Sequence, residues 1–165
     1  METLDHEYVF VVYGAPAPKG SLKCVGRNGR HQLVENSDRT TPWRNRVAGG
    51  ARRITLSGFP GPLGVEVTLT VDRPTSHYLV NGGLSAEGRR RPYPSRRSQG
   101  LGGDVDKLAR VVLDALEDAG TLTDDAQVVE LIARKTFHDG PGVLPDALDR
   151  PGARIRLYPL EETPC

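Results

Sequence analysis

Hydrophobic and polar positions sort the chain into short elements. Tyr8 to Tyr13 (YVFVVY) is a run of β-branched and aromatic residues of the buried-strand kind. It leads into Gly14-Ala15-Pro16-Ala17-Pro18-Lys19, where two prolines impose a stiff, extended turn. Residues 20–39 are polar with scattered glycines and read as a loop or loose hairpin. Leu63 to Asp72 alternates strictly. Leu63, Val65, Val67, Leu69 and Val71 fall opposite Gly64, Glu66, Thr68, Thr70 and Asp72, which predicts one core face and one polar face. Val128 to Phe137 places Val129, Leu131, Ala133 and Phe137 opposite Glu130 and Arg134, and Ala153 to Tyr158 alternates apolar residues with arginines.

Two stretches switch to the helical period. Thr41 and Pro42 suit an N-cap and first helical position, and Trp43, Val47 and Ala51 follow at intervals of four, with Gly49-Gly50 weakening the middle. Leu108, Val111, Val112, Ala115 and Leu116 form an apolar stripe that Gly120 ends. The order β-α-β-loop-α-β-β predicts an α/β fold of the mixed α+β kind. It would be a small single domain over residues 1–165, with a mixed sheet and two main helices.

At 37% hydrophobic residues, 165 residues can bury one core, and without a run of 18 apolar residues no membrane span is expected. The opening METLDHEYVF is acidic where a secretion leader is basic and apolar, and Cys24 and Cys165 lack metal-ligand spacing. A reducing bacterial cytoplasm and two free thiols are therefore expected.

The net charge of +1 hides a division. Residues 1–103 hold 15 Lys+Arg against 8 Asp+Glu (+7), and residues 104–165 hold 7 against 13 (−6). The 30 residues from 74 to 103 lack periodicity and carry Arg89, Arg90, Arg91, Arg96 and Arg97, which reads as a mobile basic arm on phosphates or a solvated loop. A basic half beside an acidic half suits a protein that grips a polyanion and holds metal ions nearby.

The sharpest chemical signal is carboxylate. Asp104-Val105-Asp106 opens the second helix and Asp124-Asp125 opens the next strand. Carboxylate oxygens suit Mg²⁺ and Mn²⁺, which can turn water into hydroxide beside a phosphodiester. Other uses are open. Asp104 could be an N-cap, Asp106 and Arg110 a surface pair four apart, and Asp124-Asp125 turn residues. Residues two apart on a helix point about 200° apart, so Asp104 and Asp106 can share an ion only if Asp104 precedes the helix. A helix from 106 to 118 is about 20 Å long and residues 119–125 span at most about 23 Å. Asp125 returns to the helix start only over a nearly extended link or a shorter helix; otherwise its metal partner sits on a second subunit.

These residues resemble the RusA-type Holliday-junction resolvases. The resemblance rests on Gly103-Asp104-Val105-Asp106-Lys107-Leu108-Ala109-Arg110, Leu113-Asp114-Ala115-Leu116, Asp124-Asp125-Ala126-Gln127-Val128-Val129 and Lys135. Gly14-x-Pro-x-Pro-Lys19 and Trp43-Arg44 add to it, and it spans roughly residues 8–158 in order. It implies a homodimeric, Mg²⁺-dependent crossover junction endodeoxyribonuclease, with Mn²⁺ able to substitute. Such an enzyme binds branched DNA and nicks two strands of a four-way junction symmetrically; a phage or prophage origin is the expectation. The family's metal-binding aspartates fall on Asp104, Asp106 and Asp125, and its catalytic lysine falls on Arg110. An arginine there keeps the charge but cannot donate a proton, and Lys107 is the nearest substitute. Lys19 and Lys135 match basic positions read as DNA contacts, with the arm arginines. Ten residues of strand set Lys135 about 33 Å from Asp125, outside a site that contains Asp125. Two alternatives are a non-catalytic DNA-binding relative and a metal-dependent phosphohydrolase of a small substrate.

Overall fold

The computed structural model describes residues 6–20, 22–27, 30–35, 38–54, 58–95 and 103–160. Arg96, Arg97, Cys165 and the side chain of Cys24 lie outside the described residues. The elements are β1 (Tyr8–Tyr13), β2 (Leu22–Arg27), β3 (Arg30–Glu35), α1 (Thr40–Arg52), β4 (Leu63–Val71), α2 (Ala86–Arg90), α3 (Val105–Asp118), β5 (Val128–Phe137) and β6 (Gly152–Pro159). The mixed α/β domain expected from the periodicity is present. It gains an antiparallel β2–β3 hairpin in the polar 20–39 stretch and a short helix in the basic loop.

The main sheet has the order β1-β6-β4-β5. β6 runs antiparallel to both β1 and β4, and β4 and β5 are parallel. A parallel pair needs a crossover, and α3 supplies it. This topology fixes the geometry of everything that follows. α3 runs back against the direction of β4 and β5, so its N-terminus lies at the end of β5 and its C-terminus at the start of β5.

One sheet face carries the core. Phe10, Val12, Val65, Val67, Leu69, Ile155 and Leu157 pack beneath Trp43, Val47 and Ala51 of α1 and the Leu108–Leu116 stripe of α3. Gly50 proves to be a packing requirement, because a Cβ there would lie 2.8 Å from Val12 Cγ2 and 3.1 Å from Phe10 Cδ2. Helix α1 starts one residue before the expected cap. Arg39 is the capping residue without a side-chain bond, and Thr40 Oγ1 instead donates to Pro18 O at 2.9 Å.

The expected polar face of β4 is a second buried face, because β4 is central and the 138–151 connection folds over it. Thr68 and Thr70 are buried, with Leu148 N donating to Thr70 Oγ1 at 2.9 Å and Leu144 N to Thr136 Oγ1 at 3.1 Å. Toward the strand starts this face is ionic. Glu66 accepts from Arg134 and, at 3.2 Å, from Arg156, and Arg156 also donates to Glu7.

The expectation of an unstructured mobile arm is corrected for residues 74–95. The segment holds a 3₁₀ turn (Thr75–His77), a Tyr78–Leu84 bridge and α2, capped by Ser85 Oγ accepting from Gly88 N at 3.1 Å. Arg73, whose side chain is fully buried, pins it. Its guanidinium donates to Gly88 O (2.9 Å), Arg91 O (2.8 Å), Asp139 O (2.8 Å) and Asp139 Oδ1 (3.1 Å), and lies over the Phe137 ring.

Candidate functional site

Asp104 precedes α3, as a shared ion requires. Gly103 sits at φ +76°, Asp104 is extended at φ −73° and ψ 139°, and helical geometry begins at Val105. The Asp104 side chain makes no capping bond to the helix. It faces Lys107 instead, with Nζ to Oδ2 at 3.6 Å and both groups partly exposed. Asp106, exposed one turn before Arg110, makes neither a hydrogen bond nor an ion pair among the described residues, so the surface pair with Arg110 does not form.

Lys135 meets this turn from beneath. It is about 23 Å along β5 from Val128, far from Asp125 as its spacing requires. Because α3 runs antiparallel to β5, that distance carries it to the start of the helix. Its Nζ donates to Gly103 O at 2.9 Å. Burial pulls its pKa below the ordinary lysine value, against the opposing pull of the Asp104 charge. The sequence argument that removed Lys135 from a site containing Asp125 therefore leaves it beside Asp104.

The N-terminal proline motif packs on the same turn. A Cβ on Gly103 would lie 2.9 Å from Pro18 Cγ, and Lys19 N donates to Lys107 O at 3.2 Å. The Lys19 ammonium reaches Asp114 Oδ2 at 2.8 Å, with Arg44 Nη1 3.8 Å from the same oxygen. Arg44 also grips Asp118, with Nη2 to Oδ1 at 2.7 Å, and holds that carboxyl below its usual range. The proline motif, Trp43-Arg44 and Leu113-Asp114-Ala115-Leu116 are thus one contact set along α3. Asp114 and Asp118 were missed as partners. Their spacing of four on α3 was a signal, but the basic side chains that meet their carboxylates lie 70 or more residues away.

Asp125 stands at the other end. Asp124 caps a 3₁₀ turn (Asp125–Gln127) by accepting from Ala126 N at 2.7 Å, and Gln127 closes the capping box. Gln127 Nε2 donates to Phe59 O at 3.0 Å, and Phe59 N donates to Thr121 O just beyond α3. Asp124 and Gln127 are therefore turn builders. Asp125 is exposed, and its side chain makes neither a hydrogen bond nor an ion pair among the described residues. It lies beyond the C-terminal end of α3, a helix of 14 residues and about 21 Å, whereas Asp104 and Asp106 stand at its start.

Among the described residues no three His, Cys, Asp or Glu side chains converge as a metal cage. Mg²⁺ does not need one: it is held through one or two carboxylates, with waters and substrate phosphates completing the octahedron. Asp104 and Asp106 fit that pattern. The arm arginines split by environment. Arg90 donates to Glu87 at 3.2 Å, Arg91 pairs with the same Glu87, and Arg89 donates to Leu84 O. No helix of the described residues is long and apolar enough to cross a membrane.

The family model described as RusA, endodeoxyribonuclease RusA, matches residues 14–144. No curated protein matches the chain.

Proposed function

The chain belongs to the RusA family of endodeoxyribonucleases, whose activity is Holliday-junction resolution, and from that premise we propose a Mg²⁺-dependent, homodimeric resolvase that cuts four-way DNA junctions by paired nicks. One observation carries the reading: Asp104 and Asp106 flank the first residue of α3, with Asp104 extended and its side chain making no capping bond to the helix. Asp104 and Asp106 would hold one ion together, with water and phosphate oxygens as its other ligands. A divalent ion bound there would supply Lewis-acid stabilisation and an activated water. Lys107 and Arg110, one turn apart on the same helix, face the negative charge of the phosphate. Arg110 stabilises that charge with its guanidinium.

Asp125 enters this reading from a second copy. Its separation from Asp104 and Asp106 by the length of α3 supports that assignment. So does the exposure of Val129 (69%) and Leu131 (44%), two apolar side chains of the edge strand β5 that start four residues beyond Asp125. A two-fold dimer with two such shared sites matches the two-fold symmetry of a four-way junction and yields two symmetric cuts. Arg89, Arg90 and Arg91, with Arg96 and Arg97, supply sequence-independent phosphate affinity.

The test is a mobile synthetic four-way junction, end-labelled on each strand in turn, incubated with protein and Mg²⁺ and resolved on a denaturing gel. Symmetric nicks on two opposed strands are expected. Binding without nicks in Mg²⁺ or Mn²⁺ would overturn the proposal.

A further inference from the structure

Lys135 and Lys19 both look like phosphate contacts from sequence, yet both ammonium groups turn into the protein. The Lys19 ammonium closes on Asp114 and that of Lys135 on Gly103 O. Lysine is a strongly hydrated point charge, and partial burial of its head group costs free energy that an outward rotamer would avoid. The Lys135 ammonium accepts that cost at the carbonyl immediately preceding Asp104.

The opposite side of the same peptide is also held. Gly103 adopts a left-handed conformation that a side chain would strain, and Pro18 closes the space where a Cβ would stand. Lys19 N then ties the same N-terminal segment to Lys107 O in the first turn of α3. The turn carrying Asp104 is thus gripped from β5 beneath and from the Pro18–Lys19 step at its flank. Two carboxylates that share an ion must approach each other, and they repel until the ion is bound. A metal half-site needs its ligands held to about 0.5 Å, which neighbouring contacts must supply.

We propose that Lys135 is a positioning residue: by bonding Gly103 O against the Pro18 buttress it sets the Asp104–Asp106 turn for the ion, and it does not contact DNA. The proposal rests on Asp104 and Asp106 being the ligands, so its test separates the two. The full-length Lys135→Met variant keeps an apolar stem and loses the ammonium. Three quantities are read: hydrogen exchange at the Leu108 amide, which bonds Asp104 O at 3.0 Å; junction affinity against salt, without metal; and the Mg²⁺ concentration that half-saturates single-turnover cleavage.

Exchange at Leu108 is expected to rise about tenfold, the scale of one lost charge-assisted hydrogen bond. The salt slope should stay unchanged, and the half-saturating Mg²⁺ should rise. Pro18→Ala, which removes the buttress from the other side, should show the same three signs and keeps the test open if Lys135→Met does not fold. A salt slope lower by about 0.9, with exchange at Leu108 unchanged, would make Lys135 a phosphate contact and overturn the proposal. Asp106→Asn is run alongside. Wild-type cleavage by that variant would overturn the metal assignment alone, because exchange and salt slope are read without metal and still decide what Lys135 does.

Discussion

Replacing Arg73 by Met removes the pin that docks the basic segment. The guanidinium donates to Gly88 O, Arg91 O, Asp139 O and Asp139 Oδ1, with His77 Nδ1 3.5 Å from Nη1, from a side chain with 0% exposure. Methionine keeps contact with the Phe137 ring but strands the carbonyls and one carboxylate. Breaking a buried ion pair by removing one partner costs about 3–5 kcal/mol. Asp139 is 35% exposed, so water screens its uncompensated charge, and a loss of about 2–3 kcal/mol is the better figure. For a chain of 165 residues that lowers Tm by about 4–12 °C. The opening should also be local, since residues 74–95 can lift away while the sheet stays intact. Trypsin should then cut after Arg89 or Arg90 well below the unfolding transition. The conservative change Arg73→Lys should retain only part of the wild-type stability, because one ammonium cannot reproduce the planar fork. A Tm of the methionine variant within about 1 °C of wild type and an unchanged tryptic pattern would refute the pin.

Further outcomes follow from the same contacts. Arg134 and Arg156 hold the Glu66 carboxyl below its ordinary value of 4.5, so its stabilisation is present above that value and lost as pH falls through the lowered one. In urea unfolding, the stability difference between wild type and Glu66→Gln should be full above about pH 5.5 and shrink steadily in more acid buffer. Neutralising Arg89 and Arg90 together as glutamines should lower the salt slope of junction binding by about 1.8 if both touch phosphate, with little change in cleavage at saturating protein. Gly49→Ala should stabilise by up to about 1 kcal/mol, since its Cβ enters open space. Gly50→Ala should destabilise, because overpacking against Val12 costs about 1–3 kcal/mol and outweighs the helix gain.

Periodicity made the main elements legible, because each buries a single stripe or alternation: the Leu108–Leu116 stripe became α3 and the Leu63–Val71 alternation became β4. It misjudged the second face of β4, because the chain that covers Thr68 and Thr70 comes from residues 138–151 and has no periodic signature of its own. The β2–β3 hairpin had a stronger signal than was read from it, since Asn28-Gly29 favours a two-residue hairpin turn. The aspartates were visible as residue types, but chain reach left two placements of Asp125 open, at the helix start or at its far end. Which one holds depends on α3 running against β5, a consequence of the parallel β4–β5 pairing that only topology supplies. The same fact moved Lys135 from a remote basic residue to the neighbour of Asp104. Arg73 carried no sequence signal at all: one arginine among 18, distinguished only by what closes around it.

The shared-site account is tested most directly by mixing two variants that should each be inactive, Asp106→Asn and Asp125→Asn, allowing their subunits to exchange, and assaying a four-way junction with Mg²⁺. If Asp125 of one copy completes the Asp104–Asp106 site of the other, a mixed dimer has one site carrying both substitutions and one intact site. Random exchange then restores about a quarter of the wild-type sites, seen as single nicks on one strand per junction without paired resolution. If each site lies within one chain, both sites of the mixed dimer are damaged, and the mixture stays as inactive as its parents.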